Sequence, residues 1–356
     1  MLTQLALAAC MLWPAMQDPA PSAADALERE WNAAMTLKQQ QKWTEGAAAF
    51  EAFSKAHADA PRAQQALLEA GVCWIGLGKD QQKLHRNTPE SSATFLNADK
   101  LFQQVSDATP APAVAPRARY LAGQIALYLG DPQVAFAVFD KAVKELPQTE
   151  AYSSKCLERR AYARRQLVEN QGAASDLQLY LQQNPQGDST ELVRRSLRFV
   201  QGLDRPAPAW KPEHWASSDP LPPEVYLGDV VVLCFLASWC DKCAHEREFE
   251  KDLAARFGPK GVHFVGVVQP WQEHDGKTRH TLESFTAFAA RSTYGFPLLL
   301  DSGEGPGATA AAFGCEQLPD MAVIGRDGRV RWHDHPATLL DVTLEKLLDE
   351  GNEKPR

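Results

Sequence analysis

The chain has 356 residues, 44% hydrophobic and 23% charged, a globular composition that excludes wholesale disorder and is too long for one ordinary core. Its 37 Lys and Arg against 45 Asp and Glu give a net charge of −8, which argues against a dedicated nucleic-acid binder. Seven cysteines are too few for a disulfide scaffold, so their placement carries the information.

Met1 to Met16 is nearly all apolar, with the length of a signal h-region and too little for a membrane span. Small residues and prolines follow, as near a cleavage site, although no Lys or Arg precedes the run. Residues 1–22 therefore read as an export signal to the periplasm or cell envelope, an oxidising compartment. Leu7-Ala8-Ala9-Cys10 also resembles a lipobox, in which Cys10 would carry a lipid anchor.

Residues 23–203 predict helices in a repeat. Ala, an apolar residue four later and Pro eight after that recur as Ala49, Phe53, Pro61; Ala98, Phe102, Pro110; Ala135, Phe139, Pro147; and Ala173, Leu177, Pro185. Residues four apart share a helix face, and proline ends the helix beyond them. Ala70-Gly71 and Ala122-Gly123 are small pairs that permit close helix contact. Leu77-Gly78 and Leu129-Gly130 predict helix ends with a glycine stop. Leu192, Ser196, Phe199 and Leu203 form the stripe of a final capping helix. Cys73 and Cys156 are expected as buried core residues. The pattern resembles tetratricopeptide repeats, with a period longer than that family's 34 residues. That resemblance implies stacked helix pairs with a concave face for a protein partner; the plainer reading is a generic helical bundle.

Residues 204–223 hold six prolines and break the helical period, so they read as a linker between two separable folding units. Trp210 and Trp215 predict that part of it packs on a domain.

Val230 to Leu236 is a continuous apolar run, as in a buried strand. Trp239-Cys240-Asp241-Lys242-Cys243 follows, then helical periodicity through Phe249, Leu253 and Phe257, then a second apolar strand, Val262 to Val268. The two cysteines are therefore expected at the first turn of a helix leaving a strand. Free backbone N–H groups and the helix dipole stabilise a thiolate there. The spacing Cys-x-x-Cys also occurs in zinc sites, but no second such pair supplies the remaining ligands. Haem attachment needs His after the second cysteine, where Ala244 stands.

Phe235 to Cys243 resembles the active-site segment of thioredoxin-fold proteins, above all exported thiol–disulfide oxidoreductases of the TlpA/ResA type. Tyr294 to Asp301 is similar to the family's Phe-Pro, apolar strand and Asp segment. Gln317 to Ile324 is similar to its cis-proline loop and strand, and Arg326 to Val330 to its Asp-Gly hairpin. The resemblance covers residues 206–353. It implies a fold of two parts: an all-α tetratricopeptide-like array followed by an α/β thioredoxin-like domain.

The same resemblance implies site roles. Cys240 is the attacking thiol and Cys243 the resolving one. Pro319 faces them in the cis form, and Trp239, Leu318 and Pro319 hold the substrate. Glu246 matches a glutamate that manages protons near the pair, or is simply a solvated first-turn carboxylate. Lys242 replaces the usual proline and favours the thiolate, which Asp241 opposes. The family's buried acid is replaced by Cys234, a poor base. Cys315 is expected to be packing, and Trp332-His333-Asp334-His335 a solvated strand end rather than a metal site.

No cofactor is needed within the domain. The expected partners are a protein disulfide or thiol substrate, an electron donor and a protein docked on the repeats, with no nucleic acid. The leading reading is an exported oxidoreductase that reduces a client. The runner-up is a repeat-based scaffold with a vestigial redox domain. A third, peroxide reduction, lacks a Thr-x-x-Cys arrangement around either WCDKC or FGCEQLP.

Overall fold

A computed structural model of the chain describes residues 23–84, 86–187, 189–216, 226, 228–315, 317–335 and 339–350. The predicted export segment with Cys10, and residues 217–223 of the linker, lie outside the described residues.

Among these, nine helices come first: α1 (Ala23–Gln39), α2 (Trp43–Ala56), α3 (Ala63–Gln81), α4 (Pro89–Asp107), α5 (Ala115–Tyr128), α6 (Pro132–Glu145), α7 (Ala151–Gln166), α8 (Asn170–Gln183) and α9 (Thr190–Gly202). Each packs on the next. The four repeating prolines follow the ends of α2, α4, α6 and α8. Local chemistry sets the starts: Thr88 and Ser91 form a capping box on α4, and the Asp131 carboxylate accepts from the Val134 N–H, 2.9 Å, before α6. Four successive apolar clusters fill the array, and α3, α5 and α7 each belong to two of them. The Phe residues of the repeat lie on glycines of the preceding helix: Phe102 on Gly71, Phe139 on Gly123. Cys73 and Cys156 are buried, and burial pushes their thiols up to about 11 and about 12.

Two predictions change. Gly78 is not a helix stop: α3 runs on to Gln81, and Gly78 provides the flat spot on which the Phe95 ring lies. Gly130 does end α5, with φ of +82°. The stripe predicted on α9 is also redistributed. Leu192 is 58% exposed, and Val193, Leu197 and Val200 face the array instead. Leu203 and Phe199 turn to the sheet, because α9 has the second half of the chain on its other side.

That half is a six-stranded mixed sheet in the order β1-β4-β3-β2-β5-β6. The strands are β1 (Pro212–Trp215), β2 (Val230–Leu236), β3 (Val262–Val268), β4 (Leu298–Asp301), β5 (Asp320–Ile324) and β6 (Val330–Asp334). β2, β3 and β4 are parallel; β1, β5 and β6 pair antiparallel. Helices α10 (Asp241–Phe257), α11 (Leu282–Ser292), α12 (Ala308–Phe313) and α13 (Leu340–Glu350) complete it. Alternation along β2 divides two cores. Val230, Val232, Cys234 and Leu236 meet α10, α11 and α13, whereas Val231, Leu233 and Phe235 meet α12, Trp210 and Tyr226. The described part of the linker is bound to this sheet through the N–H groups of Asp204 and Ala207, which donate to the carbonyls of Val330 and Gly328, and through β1.

The two halves share an interface. Leu339 and Val342 join the cluster of Ala126, Phe139 and Cys156. Arg165 donates to the His333 carbonyl, 2.7 Å, and to Asp334, 2.9 Å. Arg86 reaches both Asp252 and Asp341, and Lys346 reaches the Leu167 carbonyl. These contacts join the two units read from the linker.

Candidate active site

Cys240 and Cys243 form a disulfide, with Cα atoms 5.2 Å apart. The buried strand β2 ends at Leu236, and the Ala237 carbonyl accepts the Cys240 N–H in a tight turn. Cys240 is then the N-cap of α10, and its Sγ accepts the Cys243 N–H at 3.0 Å. This is one of the first-turn N–H groups that a helix leaves without a partner, so the same donor stabilises a thiolate once the disulfide opens. Cys240 is 8% exposed and Cys243 2%, which makes Cys240 the sulfur that an incoming disulfide reaches first.

Cys240 lies in an open groove of about 580 Å³ with Trp239, Lys242, His274, Gln317 and Leu318. The Leu318–Pro319 peptide is cis and borders this groove. Asp241 and Lys242 are exposed at the groove rim. Of the residues read from the sequence, Trp239, Cys240, Asp241, Lys242 and Leu318 thus come together, with Pro319 adjoining. Glu246 does not: it is half-buried on α10, a turn beyond Cys243 and outside the groove.

Behind the disulfide lies a group that sequence reasoning missed. Glu250 is 1% exposed, and neither carboxylate oxygen has a hydrogen-bond partner among the described residues. Burial, then the neighbouring charge of Glu246, pushes it up to about 8. It follows Cys243 by seven residues, two turns along the same face of α10. Its charge reaches Cys234 and Tyr294, whose thiol and phenol burial drives well up. The signal was present in the sequence, because Glu250, Leu253 and Phe257 lie on one side of the helix. Cys315 is also buried and pushed up by burial, with its Sγ 3.4 Å from the Gln317 carbonyl. His333 is no solvated strand end: it is 5% exposed and 2.7 Å from Asp320, because β6 is covered by α9.

Two further groups were missed. His274 meets the Trp239 ring edge-on, centroids 4.7 Å apart, and His280 Nε2 lies 3.0 Å from the Ser238 hydroxyl. Both belong to the irregular segment between β3 and α11, which carries no periodic signal.

Residues 207–333 match the AhpC/TSA family. That part of the chain is similar to thioredoxin-like oxidoreductases. The match spans the sheet half, including the cysteine pair and the cis-proline, and leaves out the helical array. Three solved structures are similar to part of this chain. A thioredoxin-like superfamily protein shares 25% identity, covering 40% of this chain and 96% of its own, with a TM-score of 0.37. A thiol-disulfide isomerase from Corynebacterium glutamicum shares 21% over 40% and 96%, with a TM-score of 0.35. A secreted Mycobacterium tuberculosis disulfide oxidoreductase homologous to E. coli DsbE shares 20% over 40% and 96%, with a TM-score of 0.30. No curated protein matches the chain. Among the described residues no helix is long and apolar enough to cross a membrane.

Proposed function

We propose that the chain is an exported thiol–disulfide oxidoreductase that reduces disulfides of a client protein, with residues 23–203 as a tetratricopeptide-like docking domain and residues 206–353 as the redox domain. One observation carries the reading: a Cys240–Cys243 disulfide capping α10, open to a groove beside Leu318–Pro319. In the reduced protein the Cys240 thiolate attacks the client disulfide. One client sulfur leaves as a thiolate and takes a proton, and a mixed disulfide forms. Cys243 then gives up its proton and attacks Cys240 Sγ, releasing the second client thiol. Two electrons and two protons pass to the client, and an external dithiol donor must return them. Glu250 holds a proton in the apolar layer two turns along α10 from Cys243, and the charge of Glu246 on the intervening turn raises it further. Trp239, Leu318 and Pro319 hold the client segment, while Asp241 and Lys242 adjust the Cys240 thiolate from the rim. Export rests on the apolar N-terminal segment.

The test is reduction of insulin by the full chain with a dithiol donor. Cys240→Ser is expected to abolish it, and Cys243→Ser to leave a trapped mixed disulfide. Full activity in Cys240→Ser would refute the assignment.

A second reading, a protein-binding scaffold, draws on a concavity of about 520 Å³ between α4, α5 and α6, edged by the exposed Leu96 and Val134. If a chain with both cysteines replaced by Ala keeps its cellular effect, that reading prevails.

A further inference from the structure

The redox groove does not end at Leu318. Gln317 also lines a second concavity, of about 240 Å³, together with Pro319, Arg165, Arg195, Phe199 and His335. Arg195, Phe199 and His333 in turn line a third, of about 460 Å³, with Arg198, Arg205 and Phe313. Shared wall residues set the three side by side, as a trough of three sections from Cys240, past the cis-proline, to the seam between α9 and the sheet.

The far end of the trough differs in charge from the rest of the molecule. The chain is acidic overall, with 45 Asp and Glu to 37 Lys and Arg. Yet three arginines line the third concavity, and no carboxylate does among the described residues. In the middle section Asp320 and Asp334 do line the wall, but each is matched, to His333 at 2.7 Å and to Arg165 at 2.9 Å. Arg198 and Arg205 are exposed, and Arg198 meets Glu191 only at 3.8 Å. Arg195 lies over the Phe199 ring, 5.6 Å from its centre, which holds its guanidinium at the wall. Exposed arginines beside aromatic and proline surface suit a carboxylate-bearing extended chain, because the guanidinium fork pairs with carboxylates while the apolar wall covers the backbone.

We propose that this trough is the client-binding site, and that the client segment lying in it is acidic. Carboxylates a few residues from the client's cysteine pair with the exposed Arg198 and Arg205 while its disulfide meets Cys240. The inference rests on the thiol–disulfide reading above and gives it a substrate class. It also assigns the helical array a part in the reaction, since α9 supplies one wall.

The experiment uses the full chain and two synthetic peptides that differ only in three residues flanking a disulfide: Glu in one, Gln in the other. A small disulfide without a peptide extension is measured alongside. The ratio of kcat/KM for the Glu peptide to that for the Gln peptide is expected to be about fivefold at low salt, as two exposed ion pairs would give. It is expected to fall toward one at about 0.5 M salt, where such pairs are screened. In Arg198→Gln/Arg205→Gln, both exposed sites, the ratio is expected to drop most of the way to one. In Arg198→Glu/Arg205→Glu it is expected to invert. Equal rates for the two peptides with the wild-type chain, or a preference that survives in both double variants, would overturn the inference while leaving the redox reading intact. Failure to reduce even the small disulfide would remove the redox reading, and this inference with it.

Discussion

Glu250 is a carboxyl placed in an apolar layer without a hydrogen-bond partner among the described residues, and its protonation is tied to folding. In the unfolded chain it titrates near 4.5, and in the fold at about 8. Between those values the folded protein keeps a proton that the unfolded chain has lost. The fold is therefore free of this penalty below pH 4.5, loses stability as pH rises, and bears the full cost above pH 8. At 1.36 kcal/mol per pH unit the loss amounts to a few kcal/mol. Glu250→Gln is expected to flatten that dependence, matching the parent near pH 5 and exceeding it near pH 9 in urea unfolding of the oxidised protein. Parallel pH profiles for the two proteins would show that Glu250 does not titrate with folding. Lys242 acts through exposed charge only, so Lys242→Gln and Lys242→Glu are expected to slow Cys240 alkylation in that order, by no more than a few-fold at low salt.

The repeat helices are held by rings resting on glycines. A Cβ on Gly71 would stand 2.5 Å from the Phe102 ring, and one on Gly123 would clash with the Phe139 ring. Both rings are fully buried and have nowhere to move. Gly123→Ala gains about 1 kcal/mol of helix propensity, but overpacking costs about 1–3 kcal/mol. A net loss of up to about 2 kcal/mol is expected in denaturant unfolding. Gly202→Ala, where nothing lies within 4 Å, is the control and is expected to be neutral or stabilising. Equal behaviour of the two variants would show that the ring contact does not govern packing. The same close approach explains why Gly78 was misread: a glycine beside an aromatic in the next helix is a packing surface, and one at φ of +82° is a stop.

At the scale of the molecule, the seam between array and sheet brings the two halves into contact. Leu339 is buried among array residues, and Arg165 spans the seam to β6. Leu339→Ala is expected to cost about 2–5 kcal/mol. Arg165→Ala leaves a buried carbonyl and a carboxylate without their donor, at about 1–3 kcal/mol. The parent chain is expected to unfold in one transition seen alike by circular dichroism and tryptophan fluorescence, and Leu339→Ala in two. Two transitions in the parent would show that the linker, not the seam, sets the coupling.

The sequence by itself determined whatever depends on near neighbours along the chain. Seven apolar residues from Val230 give a buried strand because each must face a core. Cys240 and Cys243 then fall on the first turn of a helix because the apolar period changes from continuous to helical at that point. The Ala-Phe-Pro spacing gave α2, α4, α6 and α8 for the same reason. Only the tertiary structure decided what depends on residues far apart. Glu250 is buried because α10 lies on β2 and Tyr294 comes from beyond β3. His333 is hidden because α9 covers β6. The trough exists because α9 and the linker return to the sheet beside Pro319. Its arginines are scattered among polar positions in the sequence and become a site when two halves of the chain meet, since charge acts through space while sequence periodicity reports only one element at a time.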